Sequence, residues 1–207
     1  MKVTSRETYR IVRAMLDRKR FSQYEISKRE GITFSLVNRT VNWFLQRGYV
    51  RRQKGCYELV SPGAIFNLFP IYRRMGPYAS FDIDLPNEEA ARMLGRKGVL
   101  CLTSALAYYD DYYRDATVHA YLDDEKVLDG LKGMRKGYRH IELYKEDLNK
   151  EDFTEFKNLR ITNKIRTVVD LFCSNKAYAA ERLIKREWMT NEGTVLAKHH
   201  RPEPERA

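Results

Sequence analysis

Between Arg6 and Val60 the apolar residues follow a helical period three times and then a strand-like period twice, and few folds accommodate that order in so short a span. Over residues 6–17, Tyr9, Ile11, Val12, Met15 and Leu16 form one apolar face, with Arg6, Arg10, Arg13 and Asp17 elsewhere. Phe21-Ser22 interrupts this helix. Ser22 is placed to cap a second, short helix that ends near Arg29 and turns Tyr24 and Ile26 inward. Gly31-Ile32-Thr33 then reads as a tight turn. Gly31 supplies backbone freedom, Ile32 plugs the core and Thr33 can accept free amides of the next helix. In that third helix Phe34, Val37, Val41, Phe44 and Leu45 repeat at core-facing spacing. Gly48 closes it. Residues 49–53 and 56–60 are β-prone runs on either side of a Lys54-Gly55 hairpin tip.

The other face of the third helix is continuous and polar. Ser35, Asn38, Arg39, Asn42 and Gln46 follow i, i+3, i+4, i+7, i+11, without the Glu and Lys that a merely solvated face draws on. Asn and Gln can pair bidentately with adenine, Arg with guanine, and Ser with several base edges. The charge distribution points the same way. Residues 1–76 hold 16 Lys and Arg against five acids, a net +11; residues 77–207 hold 22 bases and 23 acids, a net −1. A localised excess of this kind is the electrostatic footprint of a surface that meets a polyanion. Helix, turn, helix and hairpin together make a helix-turn-helix unit with a wing, and the order of elements in residues 4–60 resembles winged-helix regulators of bacteria and archaea. The expectation is a winged helix over residues 1–60 that binds duplex DNA. Ser35, Asn38, Arg39, Asn42 and Gln46 would read bases, and Arg51, Arg52 and Lys54 would meet phosphates. The alternative is a scaffold whose winged helix docks protein.

Ser61-Pro62-Gly63 stops the wing, and residues 61–77 read as a short apolar helix (Ala64, Ile65, Phe66, Leu68, Phe69), serving as a brace or a dimer surface, and a linker. From Tyr78 the pattern alternates. Strands are expected at 79–85, 117–122, 140–144 and 159–162, and helices at 88–94, 99–109, 125–134, 164–173 and 176–188. The fold class is therefore α+β, an N-terminal winged helix-turn-helix domain followed by a mixed α/β domain over 78–190, with a polar tail at 191–207 expected to be disordered.

Two segments of the second domain resemble a known family. Leu102-Thr103-Ser104-Ala105-Leu106-Ala107-Tyr108 is similar to the Ser-Ala-Leu helix of AbiEi-type antitoxins, the regulators of type IV toxin–antitoxin systems. Residues 159–171, a strand followed by Arg166-Thr167-Val168-Val169-Asp170-Leu171, resemble a later strand and helix of the same family. The resemblance implies autoregulatory DNA binding and a partner toxin of nucleotidyltransferase type.

Candidate chemistry is sparse. Asp82 and Asp84 lie two apart in a strand and so share a face, as a metal-binding carboxylate pair of a nucleotidyltransferase or nuclease would. That enzyme reading is the second alternative, set against two solvated acids. His119, His140, His199 and His200 have no zinc spacing, and Ser104 has no readable His and acid partners. Arg166 and Asp170 are an i, i+4 pair, read as a helix salt bridge or a tie from helix to sheet. No enzyme activity, metal or cofactor is expected. Four tyrosines within residues 108–113, interrupted by Asp110-Asp111, suggest a surface with one wet edge, because adjacent acids are costly to bury unpaired. Tyr109 and Tyr112 are the expected protein contacts, to a second copy in a homodimer or to a toxin. No run approaches the ~18 apolar residues of a membrane span. Met1 to Arg6 carry no signal-peptide core, and Cys56, Cys101 and Cys173 show no paired spacing, so a cytoplasmic protein with reduced thiols and no membrane contact is expected.

Overall fold

A computed structural model describes residues 1–189, and the expected tail with His199 and His200 lies outside them. The chain is a mixed α+β protein. Its first part runs α1 (Arg6–Arg18), β1 (Arg20–Phe21), α2 (Gln23–Glu30), α3 (Phe34–Gln46), β2 (Val50–Gln53) and β3 (Cys56–Leu59). The three strands form an antiparallel sheet in the order β1-β3-β2. Two short helices follow, α4 (Pro62–Phe66) and α5 (Phe69–Tyr72). The second part continues with β4 (Ala79–Ile83), α6 (Asn87–Lys97), β5 (Val99–Leu100), α7 (Leu102–Leu106), β6 (Val118–Tyr121), α8 (Glu125–Lys132) and β7 (Arg139–Tyr144). It closes with β8 (Phe153–Phe156), β9 (Leu159–Thr162), α9 (Lys164–Cys173) and α10 (Glu181–Trp188). Its six-stranded sheet has the order β4-β7-β6-β5-β9-β8 and mixes parallel and antiparallel pairs.

Local chemistry accounts for many of these boundaries. Ser22 and Glu25 form a reciprocal capping box at the start of α2, and Gly31 ends that helix in the left-handed conformation. Thr33 differs from expectation: it precedes α3 but makes no side-chain cap hydrogen bond. The β2–β3 loop is Lys54-Gly55, both with positive φ, as a two-residue type I′ hairpin requires. Two aromatics expected inside are outside. Tyr24 is 63% exposed because the inward face of α2 is Gln23, Ile26 and Glu30; Phe34, at the first turn of α3, is 49% exposed.

The large sheet separates two apolar layers by the alternation of its strands. On β6 and β7, Val118, Ala120, Ile141 and Leu143 face a core shared with Ala90 and Leu94 of α6 and Leu131 of α8. Tyr121 and Tyr144 face the opposite core. That opposite core does not stop at the sheet. It runs through α9, α10, α4 and α5 into α1–α3, from Trp188 and Val168 to Phe66, Phe69, Leu16 and Phe44. Phe66 packs on Phe172 and Trp188 with ring centroids 5.7 and 5.3 Å apart. The Trp188 indole N–H donates to the Leu16 carbonyl at 2.7 Å. Residues 61–69 therefore act as a brace inside a continuous core, whereas in the linker stretch Ile71, Tyr72, Arg74, Gly76 and Pro77 are exposed. The cause is chemical: Ile65, Phe66 and Phe69 are fully buried, and each such side chain contributes roughly 1.5–3 kcal/mol on leaving water.

The expected helix at 99–109 is a short strand and a five-residue helix ending at Leu106, so the tyrosines of 108–113 follow the helix rather than lie on it. The expected helix at 176–188 begins as a 3₁₀ turn over Ala177–Ala180. Strands β1 and β8 were not anticipated, being too short or too exposed to show a period.

Candidate nucleic-acid interface

Helix α3 buries Val37, Thr40, Val41 and Phe44 against the core. This leaves the polar stripe on its other side. Ser35, Arg39 and Gln46 are exposed, while Asn38 and Asn42 are half-buried. The two asparagines are held in a chain of amide hydrogen bonds. Tyr57 Oη on β3 accepts from Gln23 Nε2 at 3.0 Å, Gln23 Oε1 accepts from Asn38 Nδ2 at 3.0 Å, and Asn38 Oδ1 accepts from Asn42 Nδ2 at 3.0 Å. Three elements thus fix the orientation of two candidate base-reading groups. Gln23 and Tyr57 are the residues that sequence reading missed, since no spacing links positions on α2, α3 and β3.

The hairpin is exposed along Arg51, Arg52, Gln53 and Lys54. Arg51 pairs with Glu58 across the strands at 2.8 Å, and the hydrogen bond from Arg51 holds the Glu58 carboxyl below its ordinary range. A phosphate at Arg51 would compete with that carboxylate. Arg52 and Lys54 form no ion pair among the described residues and are open to an anion. Behind the hairpin, the Arg47 guanidinium lies 3.8 Å from the Trp43 ring centroid and donates to the Trp43 carbonyl at 3.2 Å.

Not all of the N-terminal positive charge is free. Arg10 and Arg13 converge on the buried Glu30 carboxylate at 3.3 and 3.2 Å. Arg73 reaches into the second half of the chain, where it meets Asp170 at 2.8 Å, Asp147 at 3.1 Å and the Tyr121 hydroxyl at 2.8 Å. Arg166 joins the same cluster. It donates to Asp170 at 2.9 Å and to Tyr121 at 2.8 Å, contacts Asp147, and lies 3.5 Å from Asp152. The i, i+4 pair of Arg166 and Asp170 is thus also the tie between α9 and the sheet. Tyr9 of α1 closes the network by donating to Asp152 at 2.8 Å.

The remaining candidates fall apart as a group. Tyr109 turns its hydroxyl inward to the Thr162 carbonyl at 2.8 Å, and burial pushes its pKa up to about 12. The ring is half-buried and tied inward by that bond. Tyr112 is 74% exposed, with the Arg182 guanidinium 4.4 Å from its ring centroid. Asp110 is buried but paired, accepting from the Tyr112 amide at 2.9 Å and facing Arg182 at 3.5 Å, while Asp111 and Tyr112 are exposed and form the wet edge. Asp82 lies on the edge strand β4, and Asp84 lies just past its end, so the two do not share a strand face as expected. Asp82 is bound to His140 Nδ1 at 2.7 Å, and Arg135 lies 3.9 Å from Asp84. Among the described residues no three His, Cys, Asp or Glu side chains are grouped to hold a metal ion, and no helix is long and apolar enough to cross a membrane.

No protein-family model matches the chain, and neither a curated protein nor a solved structure matches it.

Proposed function

We propose that this protein is a DNA-binding transcription regulator in which residues 1–60 act as a winged helix on duplex DNA. One observation carries the reading: an outward stripe of Ser35, Asn38, Arg39, Asn42 and Gln46, free of apolar and acidic members, on a helix whose other face is core. The order of elements α1-β1-α2-α3-β2-β3, a helix pair followed by a hairpin, supports it. In this reading α3 enters the major groove, where Arg39 and the oriented Asn38 and Asn42 meet base edges. Arg52 and Lys54, with Arg51 once released from Glu58, contact phosphates. The motifs shared with AbiEi-type antitoxins add a role: repression of the chain's own promoter in the cytoplasm, with a nucleotidyltransferase-like toxin or a second copy held at the surface around Tyr112. Asp82 bound to His140 fits this better than a carboxylate pair poised for a metal.

The test uses the full chain, because its first 76 residues share a core with the rest. Fluorescence anisotropy with a labelled duplex is measured from low to high salt. Four to six phosphate contacts give a slope of roughly −4 to −5 in log K against log salt. A flat response removes the DNA reading. Tight binding of a neighbouring-gene toxin, with no duplex binding at low salt, favours the docking scaffold.

A further inference from the structure

A cavity of about 490 Å³ opens on the α/β half, between α6, the start of α7, residues 107–117 and the β8–β9 hairpin. Its volume lies within the range typical of small-molecule sites. Three kinds of group line it. Arg92 and Arg96, one turn apart on α6, stand with Arg114 and Lys157 as cations. Tyr108 and Phe156 form an aromatic wall, their centroids 5.4 Å apart at 69°. Thr103, Ser104 and Thr117 contribute hydroxyls on the floor.

The acids in the cavity are already occupied. Glu88 pairs with Arg92 at 3.2 Å. Asp115 accepts from the Thr103 hydroxyl at 3.1 Å, the Thr117 amide at 3.0 Å and Lys176 at 3.2 Å, and lies 3.4 Å from His119 Nε2. Arg96 and Lys157 make no ion pair among the described residues, so the unbalanced charge of the cavity is positive.

Two backbone positions beside the cavity carry strain. Lys157 has φ 49° and Asn158 φ 63°, so a lysine occupies the first position of a type I′ turn that Asn, Asp or Gly normally fills. Lys157 lies over the Phe156 ring, 5.5 Å from its centroid, at the cavity rim. Leu102, fully buried, has φ 48° directly before the floor residues Thr103 and Ser104. Bulky residues adopt this region rarely and at a cost of order 1–3 kcal/mol, and such positions concentrate at ligand sites.

We propose that this cavity binds a mononucleotide, its phosphate meeting Arg96 and Lys157 and its base lying against Tyr108 and Phe156. Planar rings offer a face for any base, and guanidinium and ammonium groups suit a phosphate. The hydroxyls of Ser104 and Thr117 are at hand for a ribose.

Isothermal titration calorimetry on the full chain with AMP, GMP, CMP and UMP tests this, with adenosine, guanosine and inorganic phosphate as controls. At least one mononucleotide is expected to bind one site per chain, about tenfold or more tighter than its nucleoside or phosphate alone. Arg96→Gln, Lys157→Gln and Phe156→Ser, all at exposed positions, are each expected to weaken it about tenfold. The triple variant Arg39→Ala, Arg52→Ala, Lys54→Ala is expected to leave it unchanged. Three outcomes overturn the proposal: no nucleotide binding at about 1 mM, phosphate binding as tightly as the nucleotides, or loss of binding in the triple variant but not in the cavity variants.

Discussion

Arginine does opposite things in two regions of this molecule. On α3 and the β2–β3 hairpin, Arg39, Arg52 and neighbouring Lys54 stand in solvent without carboxylate partners among the described residues. Beneath α5 and α9, Arg73 and Arg166 are enclosed by Asp147, Asp152, Asp170 and Tyr121. The residue type is the same, and so is the permanent charge. What differs is desolvation. A buried guanidinium must have its counter-charges built in, and once it has them it is unavailable to any ligand. An exposed one keeps its hydration and can exchange it for phosphate or a base edge. Counting arginines therefore overstates the surface available to a polyanion: Arg10, Arg13 and Arg73 belong to the N-terminal excess yet hold the protein together.

The comparison breaks most visibly at Arg166. Replacing it with Ala removes the cation shared by Asp152 and Asp170, both fully buried, leaving Asp170 only Arg73 and Asp152 no cation among the described residues, and Asp170 Oδ2 already lacks a hydrogen bond. Urea unfolding is expected to show a loss of about 3–5 kcal/mol. A loss under 1 kcal/mol would mean that the cluster is not a structural unit. Arg39→Ala is the counterpart. Stability should hold, while binding to the preferred duplex weakens by about 1–3 kcal/mol and binding to random duplex changes little. Equal weakening on all sequences would show Arg39 to be a phosphate contact.

Asp115 probes the middle ground. The hydrogen bond with His119, then the Thr117 amide and Lys176, hold its carboxyl well below the usual range. A depressed folded-state pKa contributes stability above the unfolded value, near 3.9, which is lost as pH falls further. Asp115→Asn should be less stable than the parent at pH 7, and the gap should narrow below about pH 4. A gap independent of pH would assign the effect to packing rather than charge. The smallest effect is expected at Tyr112. Changing it to Ser should cost at most about 0.5–1 kcal/mol, the value of an exposed cation–π contact with Arg182. Sedimentation of the chain, alone or with a candidate toxin, tests the association proposed at this surface. Tyr109→Phe offers the contrast: it loses the bond to Thr162, worth about 0.5–1.5 kcal/mol, without affecting association.

Much of the local structure is determined by the sequence alone, because it rests on neighbours a few residues apart. The Ser22–Glu25 capping box, the Gly31 turn, the Lys54-Gly55 hairpin, β9 and α9 each follow from spacing and turn chemistry within one element. The polar stripe of α3 is legible for the same reason. Only the tertiary structure decided the rest. The Tyr57–Gln23–Asn38–Asn42 chain spans three elements, and Arg73 meets Asp170 across 97 positions. The apolar helix of Ile65, Phe66 and Phe69 is visible in the sequence as a brace or a dimer surface, and only the packed α9 and α10 decide for the brace. Burial follows the same division. The tyrosine cluster is visible in the sequence, but which way Tyr109 and Tyr112 turn depends on what passes beside them. Local periodicity specifies which face of an element is apolar; only long-range packing specifies what that face meets, and hence which charges are neutralised and which are left for a ligand.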